Sequence, residues 1–131
     1  MMISLQENEF AAIKDEIEGE IRSLLRVNRD IRDISISYFD GTSIISTDND
    51  EVSYILSAAA SALKGIADKI SSMLKSGIFI KLIIHFENEK IVVFSIDNKI
   101  NILLRATVNA PLGLLIRDIL KLANRVKKLI N

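Results

Sequence analysis

The chain has 131 residues, 49% of them hydrophobic, with 17 basic and 17 acidic side chains and no cysteine. That length suits one domain, residues 1–131, able to bury about two thirds of its unfolded surface, and the balanced charge leaves no electrostatic footprint for nucleic acid. The lack of cysteine excludes disulfides, thiolate nucleophiles and cysteine-based zinc sites, and charges break every apolar run before it reaches the roughly 20 residues of a membrane span.

The first ten residues, MMISLQENEF, have neither the basic start nor the apolar centre of a signal peptide, so a soluble cytoplasmic protein is expected. From about Glu7 to Val27, Phe10, Ile13, Ile17, Ile21 and Leu24 recur at steps of three and four, the period of an amphipathic helix. The period then changes to two: Ile34, Ile36 and Tyr38 alternate with Ser35, Ser37 and Phe39. Asp40-Gly41 tolerates the positive φ of a tight hairpin turn, and Thr42 to Thr47 returns as the second strand.

The turn Thr47-Asp48-Asn49-Asp50 offers capping oxygens for a helix predicted to run to Ser76, with Gly77 placed to end it. The spacing predicts a sheet-facing stripe of Val52, Ile55, Leu56, Ala59, Leu63, Ile66, Ile70, Met73 and Leu74, and a polar face of Ser53, Ser57, Ser61, Lys64, Asp68, Ser71 and Lys75. Between them lies a shoulder of Ala58, Ala62 and Gly65, lengthened by Tyr54 and Lys69. Apolar and small side chains therefore cover more than half the circumference, more than one sheet contact needs. They either fill a crowded internal contact or meet a partner.

Three more strands are predicted, Ile78 to Phe86, Lys90 to Asp97 and Ile100 to Val108, joined by the turns Glu87-Asn88-Glu89 and Asn98-Lys99. Connections this short force antiparallel neighbours. On the first of the three, Ile78, Ile80, Leu82, Ile84 and Phe86 share one side, and Phe79 and Ile83 the other; an edge position guarded only by Lys81 would call for a pairing partner. Pro111 suits the first position of a last helix whose stripe is Leu115, Ile116, Ile119, Ala123, Val126 and Ile130. The order α-β-β-α-β-β-β-α, with strands too apolar for a wet face, predicts an α+β sandwich with helices on both sides of the sheet.

No catalytic constellation emerges. There is one histidine, His85, no G-x-S-x-G elbow, and no glycine-rich phosphate loop, so neither an enzyme nor a cofactor or metal site is expected. Asp48 to Glu51 lacks the alternating ligands and central glycine of a calcium loop. Arg125, Lys127 and Lys128 form a basic helix end that suits the helix dipole.

In element order and in the stretches ISYFDGTSI (Ile36 to Ile44), ILSAAASALKGIADKI (Ile55 to Ile70), KLIIHF (from Lys81) and NAPLGLLIRDI (from Asn109), the chain resembles the roadblock light-chain family, which includes dynein light chains and prokaryotic and archaeal stand-alone partners of Ras-like GTPases. The resemblance implies a five-stranded antiparallel sheet with the long helix on one face and the terminal helices on the other. It also implies a dimer through the long helix and the following strand, here Tyr54, Ala58, Ala62, Gly65 and Lys69 with Phe79, Lys81, Ile83 and His85. The expected role is a non-enzymatic homodimeric scaffold, or one paired with a paralogue, that binds and regulates a small Ras-like GTPase. The alternatives are a nucleotide-independent adaptor and a longin- or profilin-like small-ligand sensor.

Overall fold

The computed structural model describes residues 5–47 and 50–130; the predicted capping turn at Asp48-Asn49 lies outside them. Helix α1 (Leu5–Val27) leads into β1 (Ile31–Tyr38) and β2 (Ser43–Ser46), followed by α2 (Asp50–Leu74), β3 (Lys81–His85), β4 (Glu89–Ile96), β5 (Ile100–Thr107), α3 (Leu112–Val126) and a final 3-10 turn, Lys127–Leu129. The strands form one sheet ordered β2-β1-β5-β4-β3, and every neighbouring pair is antiparallel. The expected α+β sandwich is present, with α2 on one face and α1 and α3 on the other.

Strand alternation divides the core. Ile34, Ile36, Val92, Ile96, Ile100, Ile102 and Leu104 face Ile17 and Ile21 of α1 and Leu115, Ile119 and Leu122 of α3. On the other side a smaller cluster joins Val93 and Leu103 to Leu56 and Ala60 of α2. Tertiary burial explains why α1 and α3 are stable: each sinks an i, i+3, i+4 stripe into the larger cluster.

Helix α2 is rotated from the predicted orientation. Ser57 and Lys64, assigned by spacing to the wet face, are buried, while Ile55, Ile66, Ile70, Met73 and Leu74 from the predicted core stripe are at least half exposed. The cause lies in β1, whose α2-facing residues are Asp33, Ser35 and Ser37. A polar strand is best met by the serine edge of the helix. Ser57 Oγ lies 3.4 Å from Ser35 Oγ, and Ser61 Oγ donates to the Phe39 carbonyl at 3.0 Å. Lys64 buries its stem and reaches Asp68 one turn on.

Several boundaries shift: β2, β4 and β5 differ from the prediction by one residue at one end or both, and four other differences have a local cause. Helix α2 ends at Leu74, and Lys75 (φ 55°) takes the left-handed position assigned to Gly77; the Ser76 N–H then closes back on the Ser71 carbonyl at 3.2 Å, a Schellman end. Strand β3 spans Lys81–His85 rather than Ile78 to Phe86, because Gly77 (φ 91°) and the residues up to Ile80 turn the chain back from the helix. As a result Phe79 joins the α2 cluster while Ile83 packs on the opposite core, so the two do not share a side. The β4–β5 turn is Asp97-Asn98, both with positive φ (51° and 59°), rather than Asn98-Lys99. Pro111 is the N-cap of α3, its carbonyl accepting from Leu114 and Leu115 N–H, and the helix begins one residue later.

At the β1–β2 hairpin the predicted Asp40-Gly41 turn is formed. Gly41 has φ 93°, its N–H donates to the Tyr38 carbonyl at 3.0 Å, and the Asp40 carboxylate accepts the Thr42 N–H at 2.9 Å. Those bonds from Thr42 favour the charged carboxylate and hold the Asp40 pKa below 3.8.

Candidate association surface

Helix α2 packs chiefly on β1, β2 and β5. Towards the β4–β3 side of that face Val93 is buried beneath the helix, while Leu82, Ile91 and the preceding Phe79 pack against its flank and stay partly exposed. The partly exposed β3 edge and the outward side of α2 lie next to one another. Tyr54 is 75% exposed, and Ala58, Ala62, Gly65 and Lys69 are exposed along the same side of the helix. A Cβ added at Gly65 would meet nothing within 4 Å, so the chain's own fold does not require glycine there.

Beside this shoulder run Ile55, Ile66, Ile70 and Met73, which spacing had placed in the core. They extend the open apolar surface well beyond the small residues. The signal for them was present in the excess of apolar positions on α2, but helical periodicity alone cannot say which part of a wide apolar arc meets the sheet.

The edge strand completes the surface. The Phe86 N–H donates to the Glu89 carbonyl, and the Ile80 carbonyl accepts from Ser95 N–H, both at 2.8 Å. Antiparallel alternation then turns the N–H and C=O groups of Lys81, Ile83 and His85 outwards, a row available to another strand. Of the predicted contact residues here, Lys81 and His85 have exposed side chains, Ile83 offers its backbone while its side chain packs inwards, and Phe79 lies at the rim.

Two polar groups on the α2 face are internal. Arg105 on β5 donates from Nη1 to Asp33 on β1 at 2.9 Å and from Nε to Glu89 on β4 at 2.7 Å. Glu89, then Asp33, raise the pKa of the guanidinium and keep it charged. At the other end of the strands, Ser37, Asn101 and Ser95 stand in register across β1, β5 and β4; both polar atoms of the Asn101 side chain and both serine hydroxyls are buried without a partner among the described residues. Among the described residues no three His, Cys, Asp or Glu side chains converge as a metal centre would require, and no helix is long and apolar enough to cross a membrane.

No family model matches the chain, and no curated protein does. Solved structures do. The roadblock/LC7 domain from Streptomyces avermitilis superposes with a TM-score of 0.78 at 13% identity, covering 83% of this chain and 92% of that one. MglB from Myxococcus xanthus gives 0.77 at 11%, covering 88% and 94%. The gliding protein MglB from Thermus thermophilus gives 0.71 at 11%, covering 98% and 93%. The chain therefore has the roadblock fold.

Proposed function

We propose that this protein is a homodimeric scaffold that binds a small Ras-like GTPase and regulates it, acting in the cytoplasm without a catalytic site of its own. The observation that carries the reading is the open surface of α2 and β3. A helix exposing Tyr54, Ile55, Ile66, Ile70 and Met73 beside an unpaired sheet edge is suited to a second copy related by two-fold symmetry. Pairing the two β3 edges would extend one sheet through both chains and cover the exposed side of each α2. The likeness to the roadblock fold supports the same arrangement, and one fold relative is described as MglB with a tetrameric arrangement. The GTPase enters through the family resemblance: partners of Ras-like GTPases share this fold, and such a scaffold acts by positioning the GTPase's own groups.

The test is capture of partners by the tagged protein from its source lysate, with GDP and with a non-hydrolysable GTP analogue in parallel, read by mass spectrometry. Recovery of a Ras-like GTPase with one nucleotide only is expected. Partners recovered equally with both, or no GTPase with either, would replace the reading with a nucleotide-independent adaptor.

A further inference from the structure

The face opposite α2 carries a second surface. Helices α1 and α3 lie antiparallel: Leu24 and Val27 near the end of α1 line a groove with Leu114 and Arg117 near the start of α3, while Arg125 near the end of α3 reaches Glu16 and Glu20 of α1 at 3.6 and 3.3 Å. The groove has an apolar end, where Val27 is 84% exposed and Leu114 is 41% exposed.

Charge is sorted by helix at the other end. Between Glu7 and Glu20, α1 carries six acidic residues against Lys14 alone, whereas beyond Asp118 the chain has Lys121, Arg125, Lys127 and Lys128 and no acid. Arg125 is committed to Glu16 and Glu20. Glu9, Asp15, Lys121, Lys127 and Lys128 are exposed and make no ion pair among the described residues. An acidic ridge and a basic ridge thus lie side by side at the same level, because the helices are antiparallel.

We infer that a second copy of this chain docks on this face, related by a two-fold axis running along the groove. Rotation about that axis lays α1 of each copy over α3 of the other without changing level along the helices. The unpaired acids of one ridge then meet the partner's basic ridge, and Val27 meets the apolar end across the axis. Every contact occurs twice, as an isologous interface requires. Small side chains on the outer side of α1, Ala12, Gly19 and Ser23, allow the helices to approach. Arg22, level with Lys121, and at the far end Arg26 and Arg117 carry like charge, but all are exposed and can turn to solvent at the rim. This contact is separate from the one at α2 and β3; together they would join dimers into larger assemblies.

Because the two surfaces lie on opposite faces, Ala62→Glu isolates this one. Light scattering of the Ala62→Glu protein should show a concentration-dependent dimer whose affinity falls at least tenfold between 50 mM and 0.5 M NaCl, since the contact is charge-driven. Lys121→Glu with Lys128→Glu should remove it, as should Glu9→Lys with Asp15→Lys. Mixing the two reversed proteins should restore a heterodimer. None of these four residues makes an ion pair among the described residues, so far-ultraviolet circular dichroism should stay unchanged. A monomer at every concentration up to about 0.1 mM, or a dimer indifferent to both charge reversals, would overturn the proposal. An Ala62→Glu protein that self-associates like wild type, with association still abolished by charge reversal, would keep this interface and sink the one at α2.

Discussion

Asn101 stands fully buried between Ser37 and Ser95 on the neighbouring strands, and none of these side chains finds a partner among the described residues. A buried amide without hydrogen bonds costs roughly 1–3 kcal/mol. Asn101→Leu should therefore be neutral or stabilising by up to about 1 kcal/mol in urea unfolding; a loss above that would mean that bound water satisfies the amide. Arg105 is the opposite case, because its two carboxylates are in place. Arg105→Met would leave Asp33, whose side chain is 8% exposed, without its guanidinium. The expected loss is about 2 kcal/mol, held to that level because Arg105 itself is one third exposed and screened. Asp40 gives a pH signature. Its folded pKa lies below 3.8, so its stabilising contribution is present above that value and lost as pH falls through the lower folded pKa. Urea midpoints of wild type and Asp40→Asn should differ near pH 6 and converge on acidification.

At the scale of elements, α2 gathers the main consequences. Ala62→Glu would set a charge in the dry helix contact of the proposed dimer and weaken association by about 2 kcal/mol or more, readable as mass against concentration. At the end of the same helix, Lys75→Gly would relieve a left-handed residue (φ 55°) and raise stability by about 0.5–1 kcal/mol in thermal unfolding. The existence, type and order of all the long elements were legible in the sequence, because Ile17, Ile21 and Leu24 or Leu115, Ile119 and Ala123 leave no doubt about period or face. The rotation of α2 was not. Its orientation depends on Asp33, Ser35 and Ser37, polar residues that a strand reading counts as outward and that face the sheet's least apolar side. The shoulder of Ala58, Ala62 and Gly65 was legible, but Ile66, Ile70 and Met73 beside it were hidden by their resemblance to core residues.

Across the whole molecule, the sheet was predictable from short turns, while its edges were only half so. That β3 lies at an edge follows from its having β4 as sole neighbour, yet its length was overread because Ile78 and Ile80 are as apolar as the strand itself. The strand order also bears on how the chain acquires its structure. The central pair β1–β5 joins Ile31–Tyr38 to Ile100–Thr107 across the whole of α2, β3 and β4. Neither α1 nor β1 can complete its core until β5 has arrived, since Ile34 and Ile36 pack with Ile102 and Leu104. Such distant pairing slows folding relative to a helical bundle of the same size. On the ribosome the first half of the chain must wait, its isoleucines uncovered, for the strand that will lie beside it.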